Sequence, residues 1–294
     1  MAALLSLGFG TKMLNIVIPA AGAGRRFLEA GYTTPKPFLD VGGLPMLARV
    51  MYNVMPLMPH RYIVLLRSEH LPLWESQMPE ELRAKTVVRV VDKVTEGAAC
   101  TVLMAEDLID NYDELVIANS DQLCVWNVRN KVHVRAFQGG HQWIMETGTI
   151  QDMLNQAIYD SCGGMIATFK PYKENDTRWS YAKLNQRGFV EEVAEKQPIS
   201  DRATVGIYYF WTGGTFVDAA HSMIKQNKRV NGEFYVCPVY NEILKFDIRT
   251  YPVELMVPMG TPDDYKVAIY SLNDTESFEA FNWDGKLQRM VTLA

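Results

Sequence analysis

Hydrophobic positions fall into short continuous runs separated by amphipathic stretches. Leu14–Pro19 (LNIVIP) is apolar throughout and stops at a proline and a glycine-rich loop. Such a run predicts a strand buried on both faces. Leu44–Met55 spaces its apolar residues at helical intervals. Arg61–Arg67 (RYIVLLR) and Thr86–Val91 (TVVRVV) predict two more strands. Gly97–Ile109 reads as a helix, and Glu114–Ala118 (ELVIA) as a fourth strand ending at Asn119-Ser120-Asp121. Apolar strands alternating with helices predict an α/β fold with a mainly parallel sheet covered on both faces. Ligands then bind beyond the carboxyl ends of the strands.

The second half is more mixed. Gly164–Lys170 predicts a strand. Ser180–Leu184 and Phe189–Val193 flank Asn185-Gln186-Arg187-Gly188 and predict an antiparallel hairpin. Thr204–Trp211 (TVGIYYFW) is β-branched and aromatic, as strands are. Helices are expected at Thr215–Gln226, Phe234–Lys245 and Pro262–Tyr270, with a strand over Ile248–Met256. No repeat or long linker interrupts the pattern, so one domain is expected over residues 13–294. Residues 1–12 read as an extension, with Met13 an alternative start, because they lack the basic start and apolar run of a secretory signal. Asn127–Gly148 shows no pattern that assigns it a structure.

Composition narrows the function classes. With 48% apolar and 21% charged residues, this 294-residue chain is neither disordered nor a coiled coil. Its apolar stretches are too short to span a membrane. A net charge of −5 argues against a nucleic-acid partner. Residues 12–50 run the other way, with five Lys/Arg against two acids beside the glycine-rich loop; this points to an anionic ligand. Four dispersed cysteines without a Cys-x-x-Cys pair predict reduced thiols and a cytoplasmic location.

The candidate chemistry begins at Ala20-Ala21-Gly22-Ala23-Gly24-Arg25-Arg26-Phe27, followed by Pro35-Lys36-Pro37. Glycines after a strand let backbone N–H groups approach phosphate oxygens. A Rossmann fingerprint would need glycine where Phe27 stands, and the Gly-Lys-Ser/Thr of a Walker loop is absent. Arg26 would hold phosphate oxygens bidentately and Lys36 would add a point charge. From the loop alone, an ordinary turn with solvated cations is an equal reading. Asp121 follows an apolar strand, where a carboxylate either holds Mg²⁺ together with substrate phosphates or caps the next helix.

In order along the chain stand Gly22-x-Gly24-x-Arg26, Pro35-Lys36-Pro37, Asp121, Glu195-Lys196 with Pro198, Val205-Gly206 and Asn231-Gly232-Glu233. This series resembles the sugar-phosphate nucleotidylyltransferases, or NDP-sugar pyrophosphorylases, from about Met13 to Tyr270. Within them it most resembles the small enzymes of capsule and lipopolysaccharide biosynthesis clusters. The resemblance implies a Rossmann-like, GT-A-like fold. It also implies that an NTP and a sugar 1-phosphate, or a similar phosphorylated small molecule, give an NDP-linked product and pyrophosphate. It assigns the nucleotide to Ala20, Ala21, Gly22, Ala23, Gly24 and the backbone at Glu96 and Gly97. Arg26 and Lys36 would bind the triphosphate and Asp121 would ligate Mg²⁺. Glu195 would bind acceptor hydroxyls, Lys196 the acceptor phosphate, and Gly206 would leave room for the sugar. Homo-oligomers are common in such families.

The pattern departs from the family near its end. Relatives carry Trp-x-Asp-x-Gly-Thr, whose Asp is a second metal ligand; here Met256-Val257-Pro258-Met259-Gly260-Thr261 puts Pro258 in that place. Asp263 or Asp264 is the candidate replacement; the alternative is a metal held by Asp121 and substrate phosphates alone. Two other functions compete. A GT-A glycosyltransferase would use an NDP-sugar, but Asp121-Gln122-Leu123 lacks the usual Asp-x-Asp. A non-catalytic nucleotide-sugar-binding regulator would tolerate Pro258, but would not need Arg26, Lys36, Asp121 and Lys196.

Overall fold

The computed structural model describes residues 13–126, 128–135, 141–273 and 289–292. Its strands are β1 (Leu14–Pro19), β2 (His60–Leu66), β3 (Thr86–Val90), β4 (Glu114–Ala118), β5 (Gln122–Val125), β6 (Val128–Arg135) and β7 (His141–Thr147). They continue with β8 (Gly164–Phe169), β9 (Ser180–Leu184), β10 (Val190–Glu195), β11 (Ala203–Phe210), β12 (Ile248–Pro252), β13 (Leu255–Pro258) and β14 (Arg289–Thr292). The main sheet runs β10-β9-β11-β4-β1-β2-β3, with β8 and β12 joined through β11. Strands β4, β1, β2 and β3 are parallel, and β11 runs antiparallel to β4, β8 and β9.

The apolar runs of the central strands sort by alternation into two cores. Leu14, Ile16 and Ile18 of β1, with Tyr62, Val64 and Leu66 of β2, pack on Phe27, Phe38, Met51 and Trp74. Val17, Ile63 and Leu65 face the other side, against Val102, Phe216 and Met223. Each fully buried aliphatic side chain contributes about 1.5–3 kcal/mol, so a one-residue slip of β1 would lose several such terms at once. On the second face the Oδ1 of the buried Asn15 accepts from Arg61 Nε at 2.6 Å.

The expected hairpin forms: β9 and β10 are antiparallel, and Asn185 Oδ1 accepts from the amides of Arg187 and Phe189. Three expectations change. Gly97–Ile109 forms two helices, Ala98–Leu103 and Glu106–Ile109. Phe234–Lys245 is not an α-helix but 3₁₀ turns at Cys237–Glu242 and Leu244–Phe246. Its first residues are spoken for: Phe234 N–H donates to Glu96 O, Phe234 O accepts from Ala99 N–H, and Pro238 supplies no donor. Ile248–Met256 breaks into β12 and β13, because Val253 N–H finishes on Thr168 O while Glu254 N–H bonds Val125 O beside β5.

The unassigned Asn127–Gly148 contains β6 and β7, an antiparallel pair to which β14 adds. The helix Ile150–Tyr159, also unforeseen, starts at a capping box between Thr149 and Asp152. Residues 1–12 lie outside those described. Among the described residues no helix is long and apolar enough to cross a membrane.

Candidate active site

The carboxyl ends of β1 and β4 open onto two adjoining pockets. One, about 590 Å³, is lined by the loop Ala20–Gly24, Arg25, Arg26, Lys36, Thr95, Gly97, Asp121 and Glu233. The other, about 410 Å³, lies over β9, β10 and β11 and is lined by Arg178, Ser180, Glu195, Lys196, Gly206 and Tyr208. Arg26, Ala98, Asn119, Asp121, Tyr235 and Gly260 line both, so the pockets meet at a shared seam.

The loop-side pocket is built from local backbone constraints. Gly24 is left-handed (φ 60°) and caps the short helix Arg25–Glu29, whose Phe27 anchors it in the core. Pro35 and Pro37 bracket Lys36 on a tight turn, with Pro37 and Phe38 buried beneath it. The Lys36 ammonium forms an ion pair with the Asp121 carboxylate, so Asp121 does not cap a helix. Asp121 O also accepts from Met259 N–H at 2.8 Å, bringing Gly260 beside its carboxylate. At the far end Gly97 holds φ +132°, and a Cβ there would come within 2.4 Å of Phe234 O. That contact docks the Asn231–Tyr235 segment on the pocket.

In the pocket over β9, β10 and β11, Glu195 is buried and Ser180 Oγ donates to it. Burial, ahead of that hydrogen bond and the Lys196 charge, pushes its pKa above the ordinary carboxylate value. Adjacent strand residues point to opposite faces, yet Glu195 and Lys196 line one pocket. Left-handed backbone at Lys196 (φ 57°), held by Lys196 N–H on Trp179 O, accompanies this arrangement. Lys196 Nζ donates to Tyr235 Oη at 2.6 Å. Arg178 is fixed at the mouth by the buried Asp176, which also accepts from Trp179 Nε1. The Arg178 guanidinium holds the Asp176 carboxyl below its usual range.

Of the residues expected from sequence, Ala20, Ala21, Gly22, Ala23, Gly24, Arg26, Lys36, Gly97, Asp121, Glu195, Lys196 and Gly206 line one or both pockets. Glu96 and Asp263 do not. The Glu96 side chain is 65% exposed and pairs with Arg229, and its carbonyl is taken by Phe234 N–H. Asp263 is 96% exposed and 3.9 Å from Lys266. It is Asp264 that turns inward, where its carboxylate accepts from Thr261 Oγ1 at 2.7 Å. Gly206 also needs rereading: a Cβ there would meet Asn119 Nδ2 at 2.3 Å, so the space beside it is already filled by protein. Asn119, Gln122, Arg178 and Tyr235 are pocket residues the sequence did not single out. Tyr235 had one available signal, its place two residues beyond Glu233.

Among the described residues no three His, Cys, Asp or Glu side chains converge as a metal cage. Asp121 at the seam fits a hard divalent ion that takes one or two carboxylates and completes its shell with substrate phosphates and water.

An open α/β sheet with a glycine loop and a double pocket at its strand ends is the architecture of enzymes that handle nucleotides. Residues 15–147 match the family described as Nucleotidyl transferase. The fold is shared with a nucleoside-diphosphate-sugar pyrophosphorylase from Vibrio cholerae RC9 (22% identity, TM-score 0.64, 87% of this chain and 99% of that one). It is shared with a UDP-glucose pyrophosphorylase from Acinetobacter baumanii (15%, TM-score 0.64, 89% and 94%). The inositol-1-phosphate CTP transferase of T. maritima has it too (14%, TM-score 0.62, 90% and 97%). Among curated proteins none matches the chain.

Proposed function

We propose that this protein is a nucleotidyltransferase that joins an NTP to a sugar 1-phosphate or a similar phosphorylated small molecule, releasing pyrophosphate. The observation that carries the reading is the seam, where a cation-lined glycine loop and a hydroxyl-rich pocket share Arg26 and Asp121. The triphosphate would lie along Ala20–Gly24 with Arg26 and Lys36 on its β and γ groups. Glu195 would accept from acceptor hydroxyls, and Lys196 would hold the acceptor phosphate. An acceptor phosphate oxygen attacks the α-phosphorus, the α–β P–O bond breaks, and pyrophosphate leaves with the electron pair. The nucleophile is already anionic at neutral pH, so no general base is required. The residues lower the repulsion between two anions and hold them in line. Asp121 would hold Mg²⁺, which supplies charge neutralisation on the phosphates when bound. Lys36, paired with Asp121 in the substrate-free chain, would transfer to phosphate oxygens.

The shared fold of two pyrophosphorylases and a CTP transferase acting on a polyol phosphate supports this reaction class. A cytoplasmic role in surface-polysaccharide precursor synthesis, as one domain over residues 13–294 and in a homo-oligomer, completes the proposal. The test is pyrophosphate release with Mg²⁺, using CTP, UTP, dTTP, GTP and ATP against a panel of phosphorylated acceptors. Release should need both substrates and fall about 10²–10³-fold in Asp121→Asn and in Lys36→Ala. No release from any pair, with tight binding of an intact NDP-sugar, would overturn the reading in favour of a glycosyltransferase or a regulator.

A further inference from the structure

The seam between the pockets is crossed by three side chains in sequence. Lys196 lines the acceptor side, Glu233 the loop side, and Tyr235 lines both. Lys196 Nζ donates to Tyr235 Oη at 2.6 Å, and the same ammonium sits 4.6 Å from the centre of the tyrosine ring. Burial first, and then the Glu233 carboxylate nearby, pushes the Tyr235 pKa upward, so the phenol stays protonated. Lysine only donates, so the bond runs from Lys196 N–H to Tyr235 Oη.

Two facts mark this Lys196–Tyr235 bond as more than a surface contact. Lys196 occupies left-handed backbone, a conformation unfavourable for a residue with a Cβ. A lysine side chain is otherwise free to sweep through many rotamers, and ordering it has an entropic cost. Tyr235 offsets that cost in advance with a hydrogen bond and a ring face. Its own position is set by the neighbouring Phe234, whose backbone is bound on both sides by Glu96 and Ala99.

We infer that Tyr235 is a positioning residue that holds the Lys196 ammonium at the seam, preorganised for the phosphate of the acceptor. The inference rests on the proposed function for the identity of the acceptor, while the Lys196–Tyr235 hydrogen bond itself does not depend on it.

Tyr235→Phe keeps the ring over Lys196 and removes the hydrogen bond to its ammonium. With the best NTP and acceptor pair, the acceptor KM should rise about tenfold to a hundredfold, the range of a lost hydrogen bond to a charged group. The KM for NTP and kcat should stay within about threefold, as expected when ground-state and transition-state binding are lost equally. Inorganic phosphate titrated calorimetrically into the substrate-free chain gives a readout that needs no turnover. Its affinity should fall at least about fivefold in both Tyr235→Phe and Lys196→Met. The double variant should bind no more weakly than Lys196→Met alone, because the two residues act as one unit. Unchanged phosphate affinity in either single variant would overturn the inference. So would a Tyr235→Phe variant that loses NTP and phosphate affinity together. If no pair gives pyrophosphate release in the parent but phosphate binding follows this pattern, the proposed reaction fails and the positioning role stands.

Discussion

Gly206 separates two explanations of the same residue. The family resemblance gives it the task of leaving room for a sugar; the packing gives it a different one. Gly206 lies in β11 where the pairing with β8 shifts between Thr204 and Tyr208, and its carbonyl accepts from Asn119 N–H at 2.9 Å. Its φ is +86°, and a Cβ would fall 2.3 Å from Asn119 Nδ2, 2.5 Å from Gln122 Oε1 and 2.8 Å from Asn119 Cγ. Gly206→Ala therefore incurs two costs. Left-handed backbone costs about 1–2 kcal/mol for a residue with a Cβ. Forcing two packed side chains aside costs about 1–3 kcal/mol more. The sum, about 2–5 kcal/mol, corresponds to a fall of about 4–20 °C in Tm for a domain of this size class. A circular-dichroism melt measures it. Asn119→Ala removes the two Asn119 atoms in the way, so Gly206→Ala/Asn119→Ala should recover part of that second cost, about 1 kcal/mol relative to additivity, and leave the backbone term and the Gln122 contact. A Gly206→Ala variant that melts within about 1 °C of the parent, yet binds acceptor poorly, would refute the packing argument and restore the view that this glycine serves the ligand.

Gly97→Ala should destabilise by about 3 kcal/mol or more, read as a lower urea midpoint, because its Cβ meets the backbone of Phe234 rather than a movable side chain. Glu195 has a pKa raised by burial, so the folded state holds its proton more tightly than the unfolded chain. Its contribution to stability is complete below the ordinary carboxylate pKa and is lost as pH rises through the elevated one. Glu195→Gln should flatten that part of the stability–pH curve and gain on the parent towards neutral pH; urea melts at several pH values check it, and an unchanged slope would contradict the assignment.

The central strands were legible because their information is local. Leu14–Pro19, Glu114–Ala118 and Ser180–Leu184 form as expected. An unbroken apolar run between turn signals needs no knowledge of distant residues. The glycine loop was legible for the same reason, since Gly22, Gly24 and the prolines around Lys36 act on their own backbone. Elements governed by partners were not. The helix expected over Phe234–Lys245 gives way because Phe234 spends its backbone groups on residues 96 and 99. The strand expected over Ile248–Met256 divides because its two halves bond to different sheets. Glu96 was expected to act through its backbone, and Phe234 N–H takes its carbonyl, while Asp263, expected from its closeness to Gly260-Thr261, turns its side chain to solvent.

Sequence alone determined that this chain is an α/β protein with a glycine-rich loop after its first strand and a strand-end carboxylate. Hydrophobic period, glycine and proline write those features into neighbouring residues. Tertiary structure alone decided which of the charged groups meet. Lys36 reaches Asp121 across 85 residues and Lys196 reaches Tyr235 across 39. Such pairings follow from strand order and from a left-handed turn at one lysine, and no periodicity along a chain encodes the order in which its strands lie side by side.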